Sequence, residues 1–172
     1  MPTALKALID LCLRNWPLVA VLSSAMMLAI AHAFETFGGL APCTLCLRAR
    51  EVYWVALAIG IACVVGQQVL KDDRIRRLAS LLLAVVFRVG IGVAIYHAGA
   101  EWKFWPGPKT CATGAIPQLT SLDAVLKGGQ FKAPACDEAA WVFLGLSMAG
   151  WNALISLKLL VYSVLAARLR RD

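Results

Sequence analysis

The residues best suited to chemistry in this chain are its cysteines, two of which stand close together as Cys43-Thr44-Leu45-Cys46. Two intervening residues let a disulfide close at the start of a helix, where free amides and the helix dipole stabilise a thiolate. Pro42, directly before the pair, favours a chain that turns into a helix at this point. The spacing therefore predicts a reversible dithiol. The dipole argument alone favours Cys43 as the more ionised sulfur.

Two more cysteines, Cys111 and Cys136, lie 25 positions apart (136 minus 111). An even number of cysteines in an oxidising compartment favours disulfides, either exchangeable or purely structural. A zinc centre built from four thiolates is a competing interpretation, although the wide spacing lacks the second short knuckle of such sites. The remaining cysteines, Cys12 and Cys63, are expected to pack as small apolar residues without a redox role.

Arg50 follows Cys46 by four residues, so on a helix the two side chains share a face. A permanent positive charge beside a sulfur favours the thiolate, and near a lipid-soluble acceptor it also stabilises negative charge that develops on oxygen. The alternative is that Arg48, Arg50 and Glu51 only mark a membrane boundary.

The elements that must position these residues are membrane helices. Of the 172 residues, 60% are hydrophobic and the mean hydropathy is +0.73, whereas soluble domains are about 45–50% apolar. A bilayer span needs about 20 apolar residues, and only helices satisfy their own backbone in lipid. We predict an all-α, four-helix integral membrane bundle forming a single domain, residues 1–172, with helices at about 18–37, 46–69, 78–100 and 139–167. The N-terminus has no signal-peptide cleavage site and is expected to be retained.

The basic residues predict the orientation of the bundle. They cluster before the first span, between the second and third, and after the fourth, which places both termini in the cytoplasm. The net charge of +7 is thereby explained without a nucleic-acid partner. The outer loops, about 38–45 and 101–138, then place four cysteines on the outer side: Cys43, Cys46 at the first residue of the second span, Cys111 and Cys136. Within the second loop, apolar residues at 116–126 predict a short amphipathic helix, lying either on the membrane surface or over the bundle.

Arg88 lies near the middle of the third predicted helix. An unpaired charge there costs about 2.5–3.5 kcal/mol on insertion scales. We therefore expect Arg88 to face protein or water, with carbonyl groups or a polar side chain as its partner, the candidates being Ser23, Ser24 and Asn152.

Together, these features resemble the bacterial disulfide bond formation protein B (DsbB) family. The resemblance covers essentially the whole chain: P-C-T-L-C with Arg50 four residues on, four spans, a long second outer loop, and C-D-E-A-A-W-V-F-L-G-L-S-M from Cys136 into the last helix. It implies a multi-pass protein of the bacterial inner membrane whose active cysteines face the periplasm. The implied activity is that of a quinone-dependent protein thiol oxidoreductase.

The resemblance also implies residue roles. Cys43 and Cys46 would form the quinone-coupled disulfide, with Cys46 and Arg50 beside ubiquinone or menaquinone. Cys111 and Cys136 would form the pair that meets a periplasmic DsbA-type thiol oxidase, through a transient mixed disulfide at Cys111.

Two positions near the implied quinone site compare differently with the family: one departs from it and one resembles it. Where the family often has a glutamate or glutamine before its arginine, this chain has Ala49. His97 resembles the histidine that the family places near the quinone, and the alternative is a histidine at the membrane boundary.

The sequence is also compatible with other classes of protein. A vitamin K epoxide reductase-like enzyme also combines a CxxC motif with quinone chemistry, but its motif lies late in the bundle rather than at the start of the second helix. A metal-binding membrane protein and a structural protein stiffened by disulfides are the non-redox alternatives. No metal ligand is assigned from the sequence.

Overall fold

The structure, a computed structural model, describes residues 3–40, 42–70, 72–108 and 136–169, and within these the chain is mainly helical. In chain order its elements are α1 Thr3–Arg14, α2 Trp16–Thr36, α3 Thr44–Leu70, α4 Asp73–Glu101, β1 Val142–Phe143, β2 Leu146–Ser147 and α5 Met148–Arg168. The predicted helix at 116–126 lies outside the described residues.

Four helices among the described residues, α2, α3, α4 and α5, are long and apolar enough to cross a membrane. This confirms the predicted number of spans and the class of multi-pass membrane protein. The location of the termini on the cytoplasmic side stays a prediction.

The boundaries differ from the predicted ones at both ends of the chain. The last helix begins at Met148 rather than near 139, because the preceding residues form the antiparallel β1–β2 hairpin. Leu144 (φ 51°) and Gly145 (φ 79°) make its turn in the left-handed region, which a helix cannot accommodate. Ser147 then caps α5 by accepting a hydrogen bond from the Gly150 amide at 3.1 Å. A separate helix, α1, also precedes the first span.

Consecutive long helices run antiparallel, as side-chain contacts at the two ends of the bundle show. At one end, Trp16 of α2 donates to Ser163 Oγ of α5 at 3.0 Å. At the same end, the buried Arg76 of α4 donates to the Ala166 and Leu169 carbonyls at the end of α5. The opposite end therefore holds the end of α2, the start of α3, the end of α4 and the start of α5, and it carries Cys43 and Cys46.

Close helix packing depends on small residues, as is common in membranes. A Cβ added at Gly60 of α3 would lie 2.6 Å from Val21 Cγ2 and 3.2 Å from the Pro17 carbonyl oxygen of α2. Gly92 of α4, in contrast, has open space where its Cβ would be. Gly60 thus permits the close approach of α2 and α3.

Arg88 was expected to face protein or water, and none of its suggested protein partners contacts it in the structure. Its side chain is exposed on the outer surface of α4 and makes no hydrogen bond or ion pair with any other residue that the structure describes. Asn152, one of the expected partners, instead accepts a hydrogen bond from Tyr53. Ser24 is buried without a hydrogen-bond partner among the described residues. The rotation of α4 that buries Phe87 and Gly90 against the bundle turns Arg88 outward.

We expect Gly60→Ala to lower the free energy of unfolding by about 1–3 kcal/mol, because the added methyl meets backbone that cannot move without separating two helices. Gly92→Ala is the matched control and should not destabilise. Thermal denaturation of both variants in detergent measures the difference. Equal stability of the two variants would contradict the proposed contact.

Candidate redox site

The Cys43–Cys46 pair sits where α3 begins, as the sequence predicted. Cys43 immediately precedes the first helical residue, and its carbonyl accepts from the Leu47 amide at 3.1 Å. Its sulfur accepts a hydrogen bond from the Cys46 amide, also at 3.1 Å. Cys43 thus takes the place of a capping side chain, satisfying an amide that the helix leaves without a backbone partner.

The two sulfurs lie 2.6 Å apart, and both cysteines are free thiols in the structure. The hydrogen bond with the Cys46 sulfur is the main cause that raises the pKa of Cys43, and burial of the side chain adds to it. The amide hydrogen bond from Cys46 acts in the opposite direction but is a smaller effect. The dipole-based expectation that Cys43 is the more ionised sulfur is therefore not met.

His97 of α4 brings a second element to the pair. Its ring is buried, and its Nε2 lies 3.6 Å from Cys43 Sγ. The same nitrogen lies 3.6 Å from the Glu101 carboxylate, one turn further along α4. His97 is thus in contact with a sulfur of the CxxC motif and not merely at the membrane boundary.

Glu101 was not predicted as a site residue from the sequence. Its side chain is only 5% exposed, and its Oε2 has no hydrogen-bond partner among the described residues. A buried polar atom without a partner is costly, so such a group calls for an explanation. The available signal was its position four residues after His97, which places both on one face of α4.

Arg50 also reaches this end of the bundle, where it is tied to α2. Its guanidinium pairs with Glu35 Oε2 at 2.6 Å and donates to the Ala31 carbonyl at 3.1 Å. The side chain of Arg50 is 14% exposed, whereas Arg48 is exposed and pairs with Glu51 on the surface. Glu35 was missed by the sequence analysis, although a carboxylate in the last turn of an apolar helix could have signalled it. Glu35 on α2 thus provides a carboxylate beside Arg50, whereas Ala49, the residue before Arg50 on α3, has none.

Cys136 lies against the same pair. It is 2% exposed and packs with Cys43 and Leu45 in one buried cluster, which Cys46 also contacts. Cys136 is disulfide-bonded in the structure. Its expected partner, Cys111, lies outside the described residues, so the pairing of the two stays a prediction.

A cavity of about 140 Å³ connects these groups between the ends of the four long helices. Its walls are mostly apolar, including Met27, Phe34 and Met148, while the polar groups that line it include Cys43, Cys46, Arg50, His97 and Glu101. An apolar pocket with a few convergent polar groups is the usual form of a small-molecule site. The lining fits a quinone head group in its chemistry, with apolar walls for the ring and two side chains, Arg50 and His97, that could donate to its oxygens.

The described residues do not support a zinc site of four cysteines, because Cys136 is engaged in a disulfide rather than free as a thiolate. Cys12 and Cys63 do not line the cavity. Cys63 lies near the other end of α3, with its sulfur 3.8 Å from the Ile75 carbonyl.

Comparison with known proteins agrees with a redox role for this cysteine pair. The family profile described as "Disulfide bond formation protein DsbB" matches residues 13–166. The chain is similar to the "Disulfide bond formation protein B" of Dechloromonas aromatica (strain RCB), at 32% identity over 88% of this chain and 90% of that protein. It is also similar to the protein of that name from Pasteurella multocida (strain Pm70), at 31% identity over 77% of this chain and 74% of that protein.

Limited alkylation tests the state of the two thiols. Because the pKa of Cys43 is raised, iodoacetamide at neutral pH should label Cys46 first. The labelling rate of Cys43 should still be rising above pH of about 8.5, the usual thiol value. Cys46→Ala removes the main cause of the raised pKa, so Cys43 should then react at lower pH. Mass spectrometry of the labelled peptides gives both rates. A Cys43 rate that is unaffected by Cys46→Ala would contradict this assignment.

Proposed function

Because the chain belongs to the DsbB family of disulfide bond formation proteins, a family of membrane thiol oxidoreductases, we propose that it passes electrons from a periplasmic DsbA-type dithiol to a membrane quinone. The observation that carries the proposal is that disulfide-bonded Cys136 lies in one small buried cluster with Cys43 and Leu45, against which Cys46 also packs. Two redox-active sulfur pairs exchange only if their sulfurs can meet. Membership of one buried cluster places Cys136 close to this pair.

We assign the first exchange to the outer pair. A thiolate of the reduced partner attacks Cys111, a mixed disulfide forms, and Cys136 leaves as a thiolate. The second partner thiol then releases the oxidised partner and leaves Cys111 reduced. The partner loses two electrons, and the Cys111–Cys136 pair gains them.

The second exchange passes these electrons inward. Cys136 attacks Cys43 of the inner disulfide, and Cys46 leaves as a thiolate. Attack of Cys111 on Cys136 then restores the outer disulfide and leaves Cys43 and Cys46 as the reduced pair. The raised pKa of Cys43 keeps the proton on this sulfur and leaves the negative charge of the pair to Cys46.

A bound quinone, ubiquinone or menaquinone, supplies the oxidising power by accepting two electrons and two protons. Such a supply is needed because a DsbA-type oxidase is itself strongly oxidising, at about −120 mV, so exchange alone scarcely runs forward. Arg50 and His97 would hold the head group, with the Arg50 guanidinium fixed in place by Glu35 and the Ala31 carbonyl. The apolar cavity walls would keep water from the reacting sulfur.

The proposal places the protein in the bacterial inner membrane with its active cysteines on the periplasmic side. All of the described site residues lie at the one end of the bundle that also carries the two loops. The basic clusters of the sequence lie toward the other end, as the positive-inside rule requires of a cytoplasmic face.

Cys46→Ser should abolish turnover of both substrates, because no thiolate then remains to face the quinone. The assay follows quinone absorbance and the redox state of a reduced DsbA-type partner with the purified protein. Cys63→Ser, at the other end of α3, is the control and should retain activity. Unchanged turnover in Cys46→Ser would remove the proposed route.

Arg50→Ala should raise the apparent KM for quinone at least tenfold, about 1.4 kcal/mol of binding energy, and should change the exchange with the partner little. The two half-reactions are measured separately, one with excess quinone and the other by trapping the mixed disulfide. Arg48→Ala removes an exposed arginine of the same helical turn, whose surface ion pair contributes little. It should leave both half-reactions near the wild-type rates. Equal losses in both half-reactions of Arg50→Ala would indicate a folding defect.

A further inference from the structure

We propose that the reduced form of this site binds one Zn²⁺ ion through Cys43, Cys46, His97 and Glu101. The ligand atoms of the first three residues lie within 4.8 Å of one another. Glu101 Oε1 lies 3.6 Å from His97 Nε2 but outside this group of mutually close atoms, so its side chain must shift toward the sulfurs to become the fourth ligand. Zinc binding by these four residues does not require a quinone or any redox turnover.

The geometry fits a small tetrahedral site. With Zn–S of about 2.3 Å and Zn–N of about 2.0–2.1 Å, a sulfur and a nitrogen on one ion lie about 3.5 Å apart. Cys43 Sγ and His97 Nε2 are 3.6 Å apart in the structure. The two sulfurs, at 2.6 Å, must separate by about 1 Å to share the ion, since tetrahedral thiolates lie about 3.8 Å apart. The side chain of Cys46, in the first turn of α3, can rotate to allow this.

A role as the fourth ligand would explain why the Glu101 carboxylate is buried. Glu101 is almost fully buried, and although its carboxylate has a side-chain hydrogen bond with Ser147, its Oε2 has no hydrogen-bond partner among the described residues. A carboxylate left in that state is expensive unless it is paired or coordinates a metal. His97 Nε2 faces both a sulfur and this carboxylate, which is the arrangement expected around an ion bound between them.

The ligand types select the metal. Two thiolates, one imidazole and one carboxylate form a mixed soft and hard set, which suits Zn²⁺ better than Mg²⁺ or Ca²⁺. The ligand spacings, two residues between the cysteines and three between His97 and Glu101, are short enough for each pair to bind from a single helical turn.

Binding releases the protons that the two thiols still hold, so affinity should rise with pH. The other charged or titratable groups that line the cavity with these ligands are Arg50 and Tyr53 from α3 and Glu138 from the segment before β1. Arg50 is already paired with Glu35 of α2. An ion held by both sulfurs leaves neither free for exchange, so zinc should inhibit the reaction, a consequence that rests on the proposed function.

The test uses the full chain in detergent without quinone or partner, on a Cys111→Ser/Cys136→Ser background that removes the outer sulfurs. The reduced protein is titrated with ZnCl₂ against a chromophoric chelator, and thiols accessible to a disulfide reagent are counted in parallel. We expect one zinc per chain, protection of two thiols, and no binding after oxidation of the Cys43–Cys46 pair.

His97→Ala and the isosteric Glu101→Gln should each weaken zinc binding at least tenfold. Glu51→Gln, an exposed acid on α3, and Cys12→Ser should not. Retained affinity in both His97→Ala and Glu101→Gln would show that the CxxC motif binds zinc alone, and equal binding by the oxidised protein would place the ion elsewhere. Either result overturns the proposal.

Zinc affinity is measured without any redox turnover, so the two hypotheses fail separately. A protein that binds zinc as described but never reduces quinone would sink only the proposed function. A protein with normal turnover and no zinc binding would sink only this inference.

Discussion

The site depends on how α3 begins. The first amides of any helix lack backbone partners, and in an apolar bundle each unsatisfied amide is costly. Here the Cys43 sulfur accepts the hydrogen bond of the Cys46 amide. That single contact turns the sulfur inward and brings it beside its neighbour at position 46. A serine in this place would also cap the helix, but only a thiol can cap it and carry electrons.

The ion pair with Glu35 determines the position of the Arg50 guanidinium in the cavity. Arg50 is mostly buried, and its ion pair with Glu35 offsets the cost of removing both charges from water. The pair also holds the guanidinium in one position on the cavity wall. A fixed cation stabilises charge that develops on a bound molecule without a reorganisation cost. Glu35 is therefore a positioning residue for Arg50.

Three separate chain segments meet at the sulfur pair: the start of α3, the end of α4 with His97 and Glu101, and the segment around Cys136. The end of α4 is held by Trp105, whose indole packs on Gly99 and donates to the Tyr96 carbonyl at 2.9 Å. The fold thus fixes the His97 turn by contacts outside the cavity. Rigid support of this kind keeps reacting groups within the narrow geometry that exchange chemistry requires.

The amino-acid sequence by itself determined the four spans, the position of the CxxC motif at the start of a helix, and the family. These features are local, because apolar length and two-residue spacing are read within one segment. Only the tertiary structure decided that Cys136 shares a buried cluster with Cys43, that Glu35 holds Arg50, and that Glu101 lies beside His97 with one oxygen unpaired among the described residues. It also turned Arg88 outward and began the last helix at Met148. Such outcomes depend on how each helix is rotated about its axis and on which neighbours it packs against, and single-sequence periodicity in nearly uniformly apolar helices leaves that rotation open.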